Sequence, residues 1–462
     1  MRFETHAKMK LLALLVMVVL SLLLSASHPT SAQDNAGPYA KRIACGSPTE
    51  KYSSNGYVWE KDQGYTGGSS AILAVHNPKA PQLNTLRYFQ KSDGLENCYN
   101  ITAPVGRYLI RLFFAFGEAD NAGREPQFDV SIEGTLVYRM DTGWSEDPED
   151  SYQDSLVFVD DGAATICFHS SDHGNPAVAS IEILQILDDA YNRGVSRDRN
   201  IIMKTMKRVS AGARKSGFGS DFRADAWAGD RYWQTDSSLF LPGSRVNSIS
   251  TTQNIEISPF VVRPQDRVFD ILVNKKKVFT GVDIVAQAPG AFNALILNVT
   301  VTVDVPSLAL TFSPIFGPIA VNAFEIYQLV PTDATTVKTD LWAMQLLKQS
   351  LSLPASHGWN GDPCVPQGHT WFGVNCQFNA TKNSWCIHGL YLDVQGVRGV
   401  LGEEIGSFSG IQVLNISHNT LQGSIPVSIG NLSSLVILDL SHNQLNGSVP
   451  ETLGTLPNLK KL

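Results

Sequence analysis

Four carboxylates crowd one stretch of the chain: Glu118, Asp120, Glu125 and Asp129. Two such groups flanking a bound sugar are the apparatus of glycoside hydrolysis, one as acid and the other as base or nucleophile. Acidic surface loops give the same pattern with no chemistry attached. No other catalytic signature accompanies them: there is no Gly-x-Ser-x-Gly, no His-Glu-x-x-His and no phosphate-binding loop. Ser, His and Asp are present, but nothing brings them together. The chain therefore reads as a binder, not an enzyme, and carries no cofactor signature.

Six cysteines offer a second kind of chemistry: Cys45, Cys98, Cys167, Cys364, Cys376 and Cys386. No Cys-x-x-Cys pair is present, which argues against a zinc site. Three lie before residue 170 and three after 360, so neither group can pair off within itself. A short loop rich in Gly, Pro and Trp makes Cys364–Cys376 the expected bridge. Cys386 is then free or paired elsewhere. Asn100, Asn298, Asn379, Asn415, Asn431 and Asn446 stand in Asn-x-Ser/Thr sequons, acceptors for N-linked glycans if the chain is secreted.

Secretion is what the N-terminus predicts. Arg2, Lys8 and Lys10 precede an apolar run from Leu11 to Leu24, and Thr30-Ser31-Ala32 before Gln33 is a fitting cleavage site. Residues 1–32 read as a signal peptide, because the run is too short to span a bilayer. No later run is long enough either. Charged residues are 17% and net charge is -7, a balance that argues against nucleic acid as a partner. The one basic run holds Arg197, Arg199, Lys204, Lys207, Arg208, Arg214 and Lys215. It reads as a solvated linker face, or as a surface for an acidic cell-wall polymer.

The elements that must position these residues are mainly β. Tyr108–Phe114, Phe128–Ile132, Ser155–Val159, Ala164–Phe168 and Ala179–Ile183 alternate apolar and polar residues, with turn residues between them. Such spacing predicts an antiparallel sandwich of jelly-roll type over 40–190. A second copy over 200–330 follows from three echoes in order. Arg87-Tyr-Phe89 returns at Arg231-Tyr-Trp233, Phe128–Ile132 at Phe269–Val273, and Ser180–Ile186 at Ala323–Leu329. Residues 331–386 read as a linker and cap, with Leu341, Met344, Leu347 and Leu351 on one helical stripe and Thr339 or Asp340 placed to cap it. Trp359 and Trp371 are expected to pack there.

From 387 to 462 the sequence is periodic. Leu390, Leu414 and Leu438 stand 24 residues apart, as do Val397, Leu421 and Leu445, and Gly399, Gly423 and Gly447. Leu-x-x-Leu-x-Leu-x-x-Asn at this period is a leucine-rich repeat, a short α/β solenoid. Each coil buries its face only on the next. Tyr391, Asp393, Val413, Asn415, Ser417, Ile437, Asp439 and Ser441 are expected on the concave face. Leu462 begins a fourth strand, so the array stops in mid-coil, and a longer form with further coils is expected.

Trp59–Tyr65, Phe128–Gly134 and Asn175–Ile183 resemble the marks of malectin-like domains. Gly361-Asp-Pro-Cys364 with Trp371–Cys376 is similar to the linker and repeat cap of plant malectin-like/leucine-rich-repeat receptor kinases and their kinase-less receptor-like relatives. The resemblance covers nearly the whole mature chain. It implies two tandem malectin-like sandwiches before the solenoid. It also implies a place at the extracellular side of the plasma membrane or in the cell wall, with any membrane attachment through a segment outside this chain. If the chain ends at Leu462, it implies a secreted protein.

The implied partners are a cell-wall oligosaccharide or peptide ligand and a receptor-kinase co-receptor. A secreted wall-associated glycan-binding or structural protein is the alternative. Sugar recognition needs aromatic faces for C–H surfaces and amides or carboxylates for hydroxyls. Trp59, Tyr65, Tyr88, Phe89 and Phe116 are the candidates in the first copy, Tyr232 and Trp233 in the second. The strand that bears a Tyr-Phe pair in animal malectin reads Ala115-Phe-Gly117 here, and Gly174 replaces an aspartate. That sugar site is not reproduced residue by residue.

Overall fold

The computed structural model describes residues 12–21, 39–54, 56–73, 80–146, 151–187, 190–191, 198–210, 217–218, 231–235, 264–288, 294–303, 308–317, 319, 321 and 323–462. The cleavage-site residues Thr30–Gln33 and the basic residues Arg197, Arg214 and Lys215 lie outside this set. The protein is mainly β.

In the first unit the strands Ala40–Ala44, Ser180–Gln185, Gly106–Phe113 and Tyr152–Val159 follow one another in an antiparallel sheet. Facing it are Thr135–Met140, Gln127–Ile132, Ala163–His173 and Glu96–Thr102. Alternate residues of both sheets meet in a core that includes Phe89, Tyr99, Phe114, Phe128, Trp144 and Phe168. Edge-to-face ring contacts fix it, such as Phe114 on Phe128 at 5.6 Å and Phe114 on Trp144 at 6.2 Å. Cys98 and Cys167 are register neighbours on adjacent strands and form a disulfide.

The large sheet does not end with the first unit. Tyr152–Val159 pairs at Ser155 and Leu156 with Ile201–Ser210, which pairs in turn with Ala323–Pro331. The strand Leu12–Ser21 lies between Ala323–Pro331 and Ala294–Val303, the place that Gly106–Phe113 holds between Ser180–Gln185 and Tyr152–Val159. Lys276–Asp283, Val268–Val273 and Leu310–Phe316 form the opposing sheet. The echoed segments fall at corresponding places: Phe128 and Phe269 each stand second in an inner strand of the smaller sheet, and Ser180 and Ala323 begin strands of the larger.

The α-helix Lys338–Ser350 leads into the coils. Its N-cap is Val337, without a side-chain cap, so neither Thr339 nor Asp340 caps it as expected. Asp340 instead points inward, fully buried, and accepts from the backbone N–H of Ile387 at 2.9 Å and of Ser409 at 2.8 Å. It ties the helix to the first coil while Ala343, Met344 and Leu347 cover that coil's apolar end.

Ser384–Tyr391, Val413–Asn415 and Ile437–Asp439 pair in parallel as one face of the array. Asn419 holds the turn between coils. Its amide donates to the carbonyls of Leu392, Ile416 and Ser417, and its Oδ1 accepts from Val397 N at 2.9 Å. Asn443 repeats this one coil later. Trp359 and Trp371 stack at 5.2 Å inside the cap, beside the Cys364–Cys376 disulfide.

The first unit seats tightly on this cap. A Cβ at Gly94 would meet the Gly358 Cα at 2.6 Å, and one at Gly361 would meet Cys167 Sγ at 2.9 Å and Glu96 Oε1 at 3.0 Å. Glycine at both places lets the two backbones touch. Asn360 donates to Glu96 O, Asp333 N to Thr135 Oγ1, and His369 meets Asp129 at 3.0 Å.

Candidate functional site

Where the two β units meet, the continuous sheet leaves a cleft of about 410 Å³. One wall is the strand end and turn Arg139–Trp144 with Tyr152–Asp154, and the other is Lys204–Arg208 with Tyr232 and Gln234. Tyr152 and Tyr232 present rings to each other edge-on at 5.6 Å across the two units. Lys204 Nζ stands 4.9 Å over the Tyr138 ring, while Lys207 and Met206 are exposed at the rim. Arg139 is 63% exposed at its side chain and bonds to Asp129. Basic heads beside aromatic faces suit an anionic, C–H-rich ligand.

The floor of the cleft is a buried ionic network. Asp154 accepts from Arg208 at 2.6 Å and from the Tyr152 hydroxyl at 2.9 Å, with Arg111 at 3.9 Å. Arg208 also donates to Glu325 at 2.8 Å, and Arg231 reaches Glu325 at 3.1 Å and Tyr191 at 2.8 Å. Burial alone would raise the Asp154 carboxyl, but Arg208 and Arg111 outweigh it and hold the group below its ordinary value. Glu325 is lowered likewise against burial by Arg231 and Arg208. The charges are paired, as buried charges must be. The network joins strands from both units and so fixes the cleft walls.

The aromatic residues expected to hold sugar divide. Tyr232 reaches the cleft. Trp59, Tyr88, Phe89 and Trp233 are buried, and Phe116 packs on Trp144 at 5.6 Å, so these five serve the packing. Tyr65 is 42% exposed but lies under the Arg87 guanidinium at 3.4 Å, away from the cleft residues. Three of the carboxylates are structural anchors: Asp120 accepts from Gly117 N, Glu125 from Gly143 N and Ser145 N, and Asp129 binds Arg139 and His369; the Glu118 side chain lies outside the described set.

On the solenoid, Tyr391, Asp393 and Ser441 are exposed and Asn415 and Asp439 half-buried. Ser417 is buried against Asn415. The sequons at Asn100, Asn431 and Asn446 are exposed, and those at Asn298 and Asn379 half-buried. Glu96, Cys98 and Cys167 lie close enough to share a metal, but both sulfurs are spent in the disulfide. Cys45 and Cys386 are free and buried.

The cleft is legible in the sequence only in part. Lys204, Lys207 and Arg208 were visible as a basic run, and Tyr232 as an aromatic candidate. Tyr152, Arg139 and Met206 carried no signal, because only the pairing of Tyr152–Val159 with Ile201–Ser210 brings them in.

Two β units on a capped coil array define a class, and comparison with known proteins agrees. The malectin-like domain family matches residues 43–261, and the leucine-rich-repeat family matches residues 404–462. The fold is similar to that of the plant receptor-like kinase FER, with TM-score 0.51 and 15% identity over 63% of this chain and 96% of that one. It is also similar to the ANX2 ectodomain of Arabidopsis thaliana, with TM-score 0.52 and 15% identity over 63% and 97%. At such identity the likeness is one of fold alone.

Receptor-like protein 4 of Arabidopsis thaliana is 38% identical over 446 residues, covering 86% of this chain and 71% of that protein. The chain belongs to the plant malectin-like/leucine-rich-repeat receptor-like proteins. The Nodulation receptor kinase of Pisum sativum is 25% identical over 418 residues, 80% of this chain but 42% of that protein. The chain thus spans less than half of that kinase. Its own domains are of non-catalytic ectodomain types. Among the described residues, no helix is long and apolar enough to cross a membrane.

Proposed function

We propose that this chain is the recognition part of a cell-surface receptor-like protein and that it takes an acidic cell-wall oligosaccharide in the cleft between its two β units. The single observation that carries the reading is the meeting of Tyr152, Tyr232, Lys204, Lys207 and Arg139 around one opening with a rigid ionic floor. In this reading 1–32 is a signal peptide, 40–190 and 200–330 are malectin-like sandwiches, 331–386 is linker and cap, and 387–462 holds the repeats. The site faces the extracellular side of the plasma membrane or the wall.

A peptide ligand with a receptor-kinase co-receptor is the second reading. It is favoured by a structural neighbour that holds the plant peptide RALF23 with FER and LLG2, TM-score 0.50 and 15% identity. Calorimetry on the full chain with oligogalacturonides and with neutral oligoglucans separates the two. The first reading expects saturable, salt-weakened binding of the acidic oligomer, reduced about tenfold by Lys204→Glu, or ~1.4 kcal/mol. Equal binding of the neutral oligomer, or no binding of either with capture of a secreted peptide, would overturn it.

A further inference from the structure

The middle strand of the solenoid's parallel sheet, Val413–Asn415, ends on a sequon, Asn415-Ile-Ser417. Register places Tyr391 of the preceding coil and Asp439 of the following coil directly beside Asn415. Asn415 Oδ1 accepts from the Ser417 backbone N–H at 3.1 Å and its hydroxyl at 2.8 Å. One coil later Asp439 Oδ1 accepts from the Ser441 N–H at 3.1 Å and its hydroxyl at 2.6 Å. The same turn is built with an amide in one coil and a carboxylate in the other, so only the acceptor oxygen is needed.

The amide nitrogen is therefore surplus. Nδ2 of Asn415 donates no hydrogen bond among the described residues, and the side chain is half-exposed. Asn419, four residues on, makes the contrast: it is 8% exposed and its Nδ2 serves three carbonyls. An asparagine the fold requires spends its nitrogen; Asn415 keeps it for solvent on the concave face.

We infer that Asn415 carries an N-linked glycan in the secreted protein and that this glycan closes the concave face of the solenoid to a macromolecular partner. In the transfer, Nδ2 bonds to the anomeric carbon of an oligosaccharide held on a lipid pyrophosphate. The bond from that carbon to the pyrophosphate oxygen breaks, the lipid pyrophosphate leaves with the electron pair, and Nδ2 gives up one proton. Oδ1 stays free to accept from Ser417, so the turn survives the modification. Neighbouring strands are about 4.8 Å apart, so three of them make a strip roughly 10 Å wide. A branched oligosaccharide on the middle strand overhangs both neighbours. Partners must then meet the β units or the flanks of the coils. This inference does not depend on what occupies the cleft.

The test uses the full chain secreted from plant cells. Peptide-N-glycanase treatment in H₂¹⁸O should convert Asn415 to ¹⁸O-labelled aspartate. Recovery of unmodified Asn415 alongside labelled Asn431 or Asn446 would overturn the site. Hydroxyl-radical footprinting then reads closure at Tyr391, which is 43% exposed without sugar. Its oxidation should rise several-fold on deglycosylation, and Asn415→Asp, which keeps the acceptor used by Asp439, should match the deglycosylated protein. Unchanged Tyr391 oxidation in both would refute closure even with the glycan present.

Discussion

Substituting Glu96 by Gln tests how the first β unit is locked to the solenoid cap. Glu96 is 4% exposed, and neither of its carboxyl oxygens has a hydrogen-bond partner among the described residues. Its Oε1 lies 3.8 Å from Nδ1 of His169, which is also unpartnered, beneath the backbone of Gly361. Burial, reinforced by the Asp362 carboxylate and only partly offset by Lys348, raises the Glu96 carboxyl well above its ordinary 4.5. Burial, with His369 stacked at 4.3 Å, pushes the His169 imidazole down to about 3 from 6.5, against the pull of Asp129. Above the ordinary carboxylate range the folded joint therefore keeps a proton on Glu96 that the unfolded chain releases.

Unfolded, the same pair holds two protons below pH 4.5, one between 4.5 and 6.5, and none above 6.5. The raised Glu96 contributes stability below 4.5 that is lost as pH rises. The lowered His169 contributes stability above 6.5 that is lost as pH falls. Between 4.5 and 6.5 the two slopes oppose each other. Above 6.5 the falling slope acts alone, at most about 1.36 kcal/mol per pH unit for one proton. That is at most about tenfold per pH unit in the opening equilibrium. Amide exchange of Glu96–Thr102 and of 358–362 reads local opening without assuming a two-state chain. Taken as the ratio to Glu96→Gln, wild-type protection should fall as pH rises above 6.5, by up to about tenfold per pH unit. A ratio that stays constant with pH would refute the reasoning.

Three further outcomes are expected. Arg208→Met leaves Asp154 and Glu325 buried beside a missing partner and should destabilise the chain by about 3–5 kcal/mol, seen as a lower urea midpoint; an unchanged midpoint would mean the network does not hold the units together. Asp340→Ala strands the buried N–H groups of Ile387 and Ser409 and should cost about 3–5 kcal/mol, with exchange loosening first in the helix Lys338–Ser350 and the opening coil. N-terminal sequencing of the secreted protein should begin near Gln33; a chain that retained Leu12–Ser21 would contradict the leader reading and make that strand a lasting part of the sheet.

The coil array was legible because its information is local: one period carries its strand, its asparagine turn and its glycine. The β strands were legible by alternation, and the three echoes pointed to a second copy. Asp340 reads as a cap from sequence because aspartate favours helix starts. Yet Asp340, Met344, Leu347 and Leu351 lie on one stripe, and a carboxylate on an apolar stripe marks a backbone acceptor role in the packed protein. Trp59 and Phe89 looked like sugar platforms because residue type does not say which side of a strand faces the core. The Cys98–Cys167 bridge and the meeting of His169 with His369 depend on strand pairing and docking across 69 residues and more. No nearby residue signals them.

Hydrogen exchange of the full chain with and without an oligogalacturonide measures the central proposal most directly. The account predicts protection confined to 139–144, 152–154 and 204–208, lost in Lys204→Glu. Protection elsewhere on the β units, or on the coils with these segments unchanged, would contradict it.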